Sequence, residues 1–414
     1  MGVEGRRSAY EVAEDMRADG IKVLAVAYST TAAGWNGLVL CGFLGFFDRP
    51  KASARAAVRS LSDLSVEVRV LTGDSASVAR SACTRLGIPA GSVITGAMLD
   101  AMEESEALIQ VGQTRVFAEL TPAQKARIVG LIRLSGHAVG YIGDGVNDVP
   151  ALTAADVGIV VDSAAAESKK VADLVLLERD LGVVAEGVRE GRASFANASK
   201  YIRIASSSNF GNICSVAAAS IFLPFVPATA TQLLLLNLLY DATCLALSWD
   251  NVDGEEIARP KAWSGKGLGG FMLHFGFASS AFDIITFAIL FFGVCPAVCG
   301  ASFMALDAAG RAAFIAMFQA GWLLECAWTE SLVLLVLRTR CVRGADRPRR
   351  LLAMMVGIML VASALLALGP AVQLIGLAAL PAWYLGVVAL LSVLYLVVVS
   401  VIKRVYLSRA SSLF

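Results

Sequence analysis

Histidine is almost missing from this chain of 414 residues, which has only two, and its eight cysteines are scattered without one CxxC pair. A zinc centre or a disulfide framework is therefore excluded as the organising principle. Most of the cysteines read as small apolar packing residues, with a Cys295–Cys299 disulfide left open because both fall in a segment placed outside the membrane below. An excess of charge is also lacking: 35 Lys plus Arg against 34 Asp plus Glu leave a net +1, which offers nucleic acid no electrostatic footprint and removes it as a partner. The N-terminus has no charged-then-apolar secretory signal, so the first half is expected to stay in the cytosol. Internal repeats and low-complexity segments are absent as well.

Apolar residues are what the chain has most of. They make up 57%, above the roughly 45–50% of soluble proteins, so residence in a membrane is expected. Up to about residue 200, short β-rich runs alternate with amphipathic stretches. Ile21–Tyr28, Leu38–Phe47, Val66–Leu71, Ala138–Ile142, Val157–Val161 and Leu174–Leu177 read as strands; Ser75–Leu86, Pro122–Leu134 and Ala164–Ala172 read as helices. That alternation predicts a parallel α/β sheet.

After Arg203 the pattern becomes long apolar runs. About 20 residues are needed to cross a roughly 30 Å hydrocarbon core, and six runs qualify, near 204–226, 231–249, 271–293, 313–337, 351–369 and 382–402. No charge occurs from Leu351 to Ile402, where Pro370 and Pro381 bracket the turn between the last two helices. Lys and Arg accumulate on the cytoplasmic side of membranes. The loop after the fourth run holds Arg338, Arg340, Arg343, Arg347, Arg349 and Arg350, and the loop after the second holds Arg259, Lys261 and Lys266. The opposite loops, near 227–230, 294–312 and 370–381, hold only Arg311, which puts both chain ends in the cytoplasm.

In Tyr141-Ile142-Gly143-Asp144-Gly145-Val146-Asn147-Asp148 an apolar strand ends in two carboxylates spaced i and i+4, with glycines that permit a tight turn. Such a pair at the carboxyl edge of a parallel sheet can hold Mg²⁺ beside a phosphate oxygen, since hard cations prefer carboxylate oxygens. An Asp/Gly turn opening the next helix is the plainer alternative. Val70-Leu71-Thr72-Gly73-Asp74 offers a hydroxyl and a backbone N–H at another strand end, suited to gripping a phosphoryl group. Lys125, in Thr121-Pro122-Ala123-Gln124-Lys125, could neutralise its charge. Thr72 could instead cap a helix, and Lys125 could be a solvated helix residue.

Taken together these three elements resemble a haloacid-dehalogenase-type phosphotransferase, an α/β Rossmann-type fold. TGD, TPxxK and GDGVNDVPAL, followed by Ala172-Asp173-Leu174-Val175-Leu176-Leu177 and then by the apolar runs, resemble the C-terminal half of a P-type cation-transporting ATPase. Asp48-Arg49-Pro50-Lys51 is similar to that family's DPPK hinge, with Arg in place of the first proline. The resemblance implies that Thr72, Gly73, Asp74, Lys125 and Asn147 surround an aspartyl phosphate, and that Asp144 and Asp148 bind the catalytic Mg²⁺. It also implies ATP as substrate of the complete pump. The nucleophile should be the first Asp of a DKTGT motif, which the sequence does not contain; the actuator TGE loop is also missing. Residues 1–35 resemble only the end of a nucleotide-binding domain, 36–190 a phosphorylation domain without its nucleophile segment, and 191–414 an all-α bundle of six membrane helices.

Within the first apolar run, Asn209 and Asn212 lie three apart with Gly211 permitting close packing; within the second, Asn237 and Asp241 lie four apart. A carboxylate inside an apolar helix costs roughly 2.5–3.5 kcal/mol to insert and so marks an ion pathway, with a helix–helix hydrogen bond as the alternative. The resemblance places these four at the transported-ion site, together with Glu325; Asp283 stays even between a structural and a functional role. The runs from Asn237 to Asp253, Arg259 to Trp263 and Phe318 to Trp322 are most similar to the bacterial magnesium-transporting group. Mg²⁺ sheds its waters reluctantly and binds few carboxylates, in keeping with an amide-rich site. The expectation is the C-terminal part of a plasma-membrane (inner-membrane) Mg²⁺ pump, inactive alone, in contact with lipid. It would be partnered by an N-terminal half carrying the actuator domain, the nucleotide-binding domain and the first four helices. A fragment of a calcium or other cation pump, and a non-catalytic membrane regulator, are the alternatives.

Overall fold

In the computed structural model, which describes residues 3–29, 38–46, 51–263, 265, 267–340 and 348–409, the chain divides into two units, residues 1–189 and 190–414. The first carries helix α1 (Val3–Ala18), an antiparallel pair β1 (Lys22–Tyr28) and β2 (Val39–Phe46), then α2 (Ala52–Asp63) and β3 (Val70–Leu71). There follow α3 (Ala76–Leu86), β4 (Val93–Thr95), α4 (Gly96–Ala101), α5 (Glu104–Gln113) and β5 (Val116–Ala118). The unit continues with α6 (Pro122–Leu134), β6 (Gly140–Ile142), α7 (Val149–Ala154), β7 (Val157–Val161), α8 (Ala166–Val171) and β8 (Leu174–Leu176).

Instead of one parallel sheet, the described strands form the antiparallel β1–β2 pair and two three-stranded parallel sheets, ordered β3-β5-β4 and β6-β7-β8. β4 and β5 have three residues each, too short to show a periodicity, and the 66–71 run shortens to Val70–Leu71. Helix α6 serves both sheets. Its Ile128 and Leu131 lie in the cluster with Ile94 and Phe117, while Val129 packs with Tyr141, Leu152 and Val160. Successive helical residues point about 100° apart, so one helix can present an apolar side to each. Leu71 of β3 also packs against the Tyr141 cluster.

The second unit begins within α9 (Leu181–Phe222), followed by α10 (Ala230–Cys244, continued as a 3-10 turn to Trp249) and the short α11 (Gly254–Ala258). Four long helices complete it: α12 (Leu268–Cys299), α13 (Ala308–Leu337), α14 (Arg350–Leu368) and α15 (Tyr384–Arg409). Among the described residues five helices, α10 and α12 to α15, are long and apolar enough to cross a membrane. The first of the six expected spans, 204–226, lies largely on α9 and is not among the five, because Ser206, Ser207, Ser208, Asn209 and Asn212 lower its hydropathy. Cys295 and Cys299 are both free. Lys266, Arg343 and Arg347 of the basic loops lie outside the described residues, as do Asp48, Arg49 and Pro50 of the hinge-like segment.

Helix α13 is the hub of the bundle, with 78% of its span buried against 28% for each of α14 and α15. Leu236, Phe287, Leu290, Phe318, Trp322 and Tyr384 share one core cluster around it. Helices α9 and α12 meet through glycines: a Cβ on Gly276 would lie 3.0 Å from the Ser207 carbonyl, and one on Gly211 would lie 2.9 Å from the Gly276 carbonyl. Gly276 sits in a π turn of α12, Met272–Gly276, and Ser280 one turn on donates to the Gly211 carbonyl at 2.8 Å.

At one end of the bundle a buried ion pair ties four segments together. Arg338 at the end of α13 donates to Asp250 Oδ2 at 2.8 Å, both side chains at 1% exposure or less. The backbone N–H of Arg349, which opens α14, donates to Asp250 Oδ1 at 3.1 Å, and Asn197 of α9 reaches the Asp250 carbonyl at 3.0 Å. Lys200 then donates to Asn197 Oδ1 and to the Asn251 carbonyl. Removing one partner of such a pair strands the other charge, at a cost of about 3–5 kcal/mol. Arg338→Met should therefore lower the thermal midpoint of the detergent-solubilised chain sharply, and adding Asp250→Leu should recover most of the loss.

Candidate functional site

The soluble candidates sit at two β-strand ends and one helix start: Thr72, Gly73 and Asp74 after β3, Asp144, Asn147 and Asp148 after β6, and Lys125 in the first turn of α6. At the end of β3, the Thr72 hydroxyl donates to Asp74 Oδ2 at 3.1 Å and accepts the Asp74 N–H at 3.1 Å, so the two residues fix each other. This turn is bound to the one after β5: the Leu120 N–H donates to the Thr72 carbonyl at 3.1 Å, and the Glu119 N–H to the Asp74 carbonyl at 2.9 Å. Glu119 has φ +56°, a left-handed conformation uncommon outside glycine. Gly73 is exposed beside them.

Thr121, Pro122 and Gln124 explain where Lys125 lies. Thr121 and Gln124 form a reciprocal capping box and Pro122 occupies the first turn, which starts α6 at a fixed residue. One residue later, Lys125 Nζ donates to Asp148 Oδ1 at 2.8 Å, with both side chains at 15% exposure or less. Tyr141 Oη donates to the same oxygen at 2.9 Å. Gly143 makes room for this carboxylate, since a Cβ there would come within 2.6 Å of the Asp148 Cβ. Burial alone would raise the Asp148 carboxyl, but the Lys125 ammonium and the Tyr141 hydroxyl hold it below the usual carboxylate range. Burial, the Asp148 charge and their hydrogen bond push the Tyr141 hydroxyl far above the phenol range. Asp144 and Asn147 are exposed in the same loop, and Ser168 anchors it through the Gly145 carbonyl at 2.8 Å. Lys51, the one described residue of the hinge-like segment, donates to the Arg179 carbonyl.

Two carboxylates with a lysine and a threonine, and no thiol or imidazole, form a set of hard donors that fits Mg²⁺ and a phosphoryl group. Asp144, exposed, and Asp148, held ionised, would be its carboxylate ligands.

In the helical unit the five expected residues part company. Asn209 and Asp241 are exposed, Asn237 is half-buried, and Asn212 and Glu325 are buried. Asp241 Oδ1 accepts the Tyr201 hydroxyl at 3.0 Å. Asn212 Nδ2 donates at 2.8 Å to Glu330 Oε1, a buried carboxylate of α13 that the sequence reading did not single out. A second carboxylate inside the 313–337 run was the available signal. Glu325 lies beside Asp283 and Cys326, the three offering ligand atoms within 4.8 Å of one another. Motif spacing also gives no site role to Trp322 or to the Asp250–Arg338 pair, whose partners are distant in sequence, nor to Tyr141, which reads only as an apolar strand residue although Asp148 follows seven residues later.

Comparison with known proteins fits both units. Residues 225–405 match the C-terminal region of cation-transporting ATPases, and residues 8–156 and 127–188 match haloacid dehalogenase-like hydrolases. The chain is 38% identical over 412 residues to the magnesium-transporting ATPase, P-type 1, of Salmonella typhimurium strain LT2, covering 97% of this chain and 44% of the relative. It is 40% identical over 344 residues to the protein of the same description in Escherichia coli K12, covering 81% of this chain and 37% of the relative. Calcium-transporting ATPase 1 of Yarrowia lipolytica is 32% identical over 268 residues, or 62% of this chain. The chain thus spans less than half the length of the magnesium-transporting relatives it matches.

Because the folded pKa of Asp148 is depressed, its ion pair contributes stability above the unfolded value near 4, and that stability is lost as pH falls through the lower folded value. Lys125→Met should speed hydrogen exchange in residues 141–148 several-fold at neutral pH, and its effect should shrink as pH falls through the lowered folded value of Asp148.

Proposed function

The chain belongs to the P-type cation-transporting ATPases, and from that premise we propose that it is the C-terminal part of a pump that moves Mg²⁺ across the plasma membrane at the expense of ATP. The observation that carries the catalytic half of this reading is the convergence of Lys125 and Tyr141 on Asp148 at the end of β6. In the proposed division of labour, the Thr72 hydroxyl and the Gly73 N–H grip the phosphoryl group, and Asp74 fixes the hydroxyl. Lys125 carries the neutralising charge, Asn147 lines the loop, and Asp144 with Asp148 holds the catalytic ion. Bound there, Mg²⁺ would neutralise charge on the transferring phosphoryl group.

The aspartate that receives the phosphoryl group comes, on this reading, from a segment outside these 414 residues, within an N-terminal portion that also brings the actuator and nucleotide-binding domains and four further helices. Among the described residues β3 pairs only with β5, and β6 only with β7. The remaining edges of these two strands, whose ends carry Thr72 and Asp144, could accept one more parallel strand and place its end between them. The domain limits proposed are 1–35, 36–190 and 191–414, with both termini cytoplasmic; Arg338, Arg340, Arg349 and Arg350 at the α13–α14 ends favour that orientation.

For the cargo we propose Mg²⁺, passed along Asn209, Asn212, Asn237, Asp241 and Glu325. The higher identity to the magnesium-transporting relatives than to the calcium-transporting one supports that choice, as does the amide at Asn212. Transport would be driven through an aspartyl phosphate on the assembled pump.

Two experiments test this. Co-expressed with the matching N-terminal portion of a magnesium-transporting relative, the chain should give an acid-stable phosphoenzyme from labelled ATP. Alone it should give none, and Asp144→Asn should suppress labelling; label on the isolated chain would refute the external nucleophile. In the same pairing, Asp241→Asn should abolish growth of a transport-deficient strain in low Mg²⁺, and unchanged growth would remove Asp241 from the pathway.

A further inference from the structure

Both side chains that donate to Asp148 take the same oxygen. Lys125 Nζ reaches Oδ1 at 2.8 Å, and Tyr141 Oη reaches it at 2.9 Å. Oδ2 lies against the loop instead: a Cβ on Gly143 would stand 2.9 Å from it, and one on Gly145 3.8 Å. Asp144, the other carboxylate of the loop, sits between those two glycines and is exposed. The Asp148 carboxylate is therefore turned with one oxygen spent inside the protein and the other against the segment that carries Asp144.

The two donors are held in different ways. Tyr141 is the middle residue of β6, in register with Gly158 of β7, and at 8% exposure it packs with Val129, Ala151, Leu152 and Val160. With the ring set in that core and only two side-chain torsions, its hydroxyl is delivered to a fixed point. Phenylalanine would fill the same space, so packing does not account for the hydroxyl. Lys125 stands in the first turn of α6 on a flexible four-carbon stem, and its ammonium has three donors to offer a phosphoryl group arriving beside it. The phenol remains on Oδ1 when the lysine turns away.

We propose that Tyr141 is a positioning residue that makes the site at Asp144 and Asp148 prefer Mg²⁺ to Ca²⁺: it keeps Oδ1 of Asp148 occupied, so that the carboxylate offers an ion Oδ2 alone. This rests on reading the two aspartates as ligands of the catalytic ion. Mg²⁺ is satisfied by single oxygens at octahedral positions, with waters filling the rest, whereas Ca²⁺ takes roughly 6–8 oxygens and accepts carboxylates through both. A carboxylate whose second oxygen already accepts two donors denies Ca²⁺ the extra contact and takes nothing from Mg²⁺.

The full chain in detergent, titrated with Mn²⁺ and followed by electron paramagnetic resonance, tests it. Binding that Asp144→Asn removes belongs to this site, and Mg²⁺ and Ca²⁺ are then used to displace it. In wild type Mg²⁺ should displace Mn²⁺ at a lower concentration than Ca²⁺ does. In Lys125→Met the phenol alone holds Oδ1; both ions should shift in parallel, leaving the ratio of half-displacing Ca²⁺ to half-displacing Mg²⁺ within about twofold of wild type. Lys125→Met/Tyr141→Phe vacates Oδ1 and should lower that ratio about threefold or more. A purely structural role for the hydroxyl would weaken both ions alike and leave the ratio where it was. Thermal midpoints measured without metal verify that each variant is folded. A ratio unchanged in the folded double variant, or already lost in Lys125→Met, would overturn the proposal. No Mn²⁺ binding that depends on Asp144 in a folded wild type would overturn the ion-site reading itself, and the proposal with it.

Discussion

Charge placed where water cannot reach must be matched by the protein itself, and that constraint organises both units of this chain. In the helical unit it acts through α13, which is buried along most of its length and still carries Glu325, Glu330 and Arg338. Arg338 is answered by Asp250, and the answer draws in Asn197, Lys200 and the first residues of α14. The bundle therefore gains a polar clasp at the end where the chain's basic residues gather. Toward the middle of α13 the matching is incomplete: the carboxylates have hydrogen-bond donors on one side and none on the other. One helix thus carries both a buried charge answered by an opposite one and buried carboxylates with one oxygen left without a hydrogen bond.

The soluble unit shows the same logic at a strand end. Asp148 is drawn close to the backbone by Gly143 and held ionised by Lys125 and Tyr141, which keeps a carboxylate ready at neutral pH. Asp144, four residues earlier, is exposed. One member of the pair is braced and the other is accessible, an arrangement suited to receiving an ion that arrives with a phosphate. The capping box at Thr121 and the left-handed Glu119 set the register of α6 from which Lys125 reaches across.

Much of this was legible in the sequence because it is local. Periodicity located β7 and α6 to the residue, and apolar length found the helices α10 and α12 to α15, with ends displaced by up to seven residues. Motif spacing also named Thr72, Lys125, Asp144 and Asp148, although it could not say that Lys125 would meet Asp148. The strands β4 and β5 escaped because non-apolar residues flank their three positions on both sides, whereas β6 and β8 lie in longer apolar runs, and one parallel sheet was expected where the described strands form two parallel sheets and an antiparallel pair. In the bundle, Asn212 finds Glu330 across 118 positions and Arg338 finds Asp250 across 88, separations at which a single sequence holds no signal. Burial was equally hidden: Asp241 and Glu325 look alike in apolar runs, yet one is exposed and the other enclosed.

The central claim is that this chain supplies the membrane pathway and the phosphate-handling strand ends of a magnesium pump. Its most direct test is flux. Proteoliposomes holding the chain assembled with its N-terminal complement, and loaded with a Mg²⁺-sensitive dye, should show ATP-driven Mg²⁺ movement that Glu325→Gln reduces. ATP-driven Ca²⁺ movement without any movement of Mg²⁺ would contradict the account.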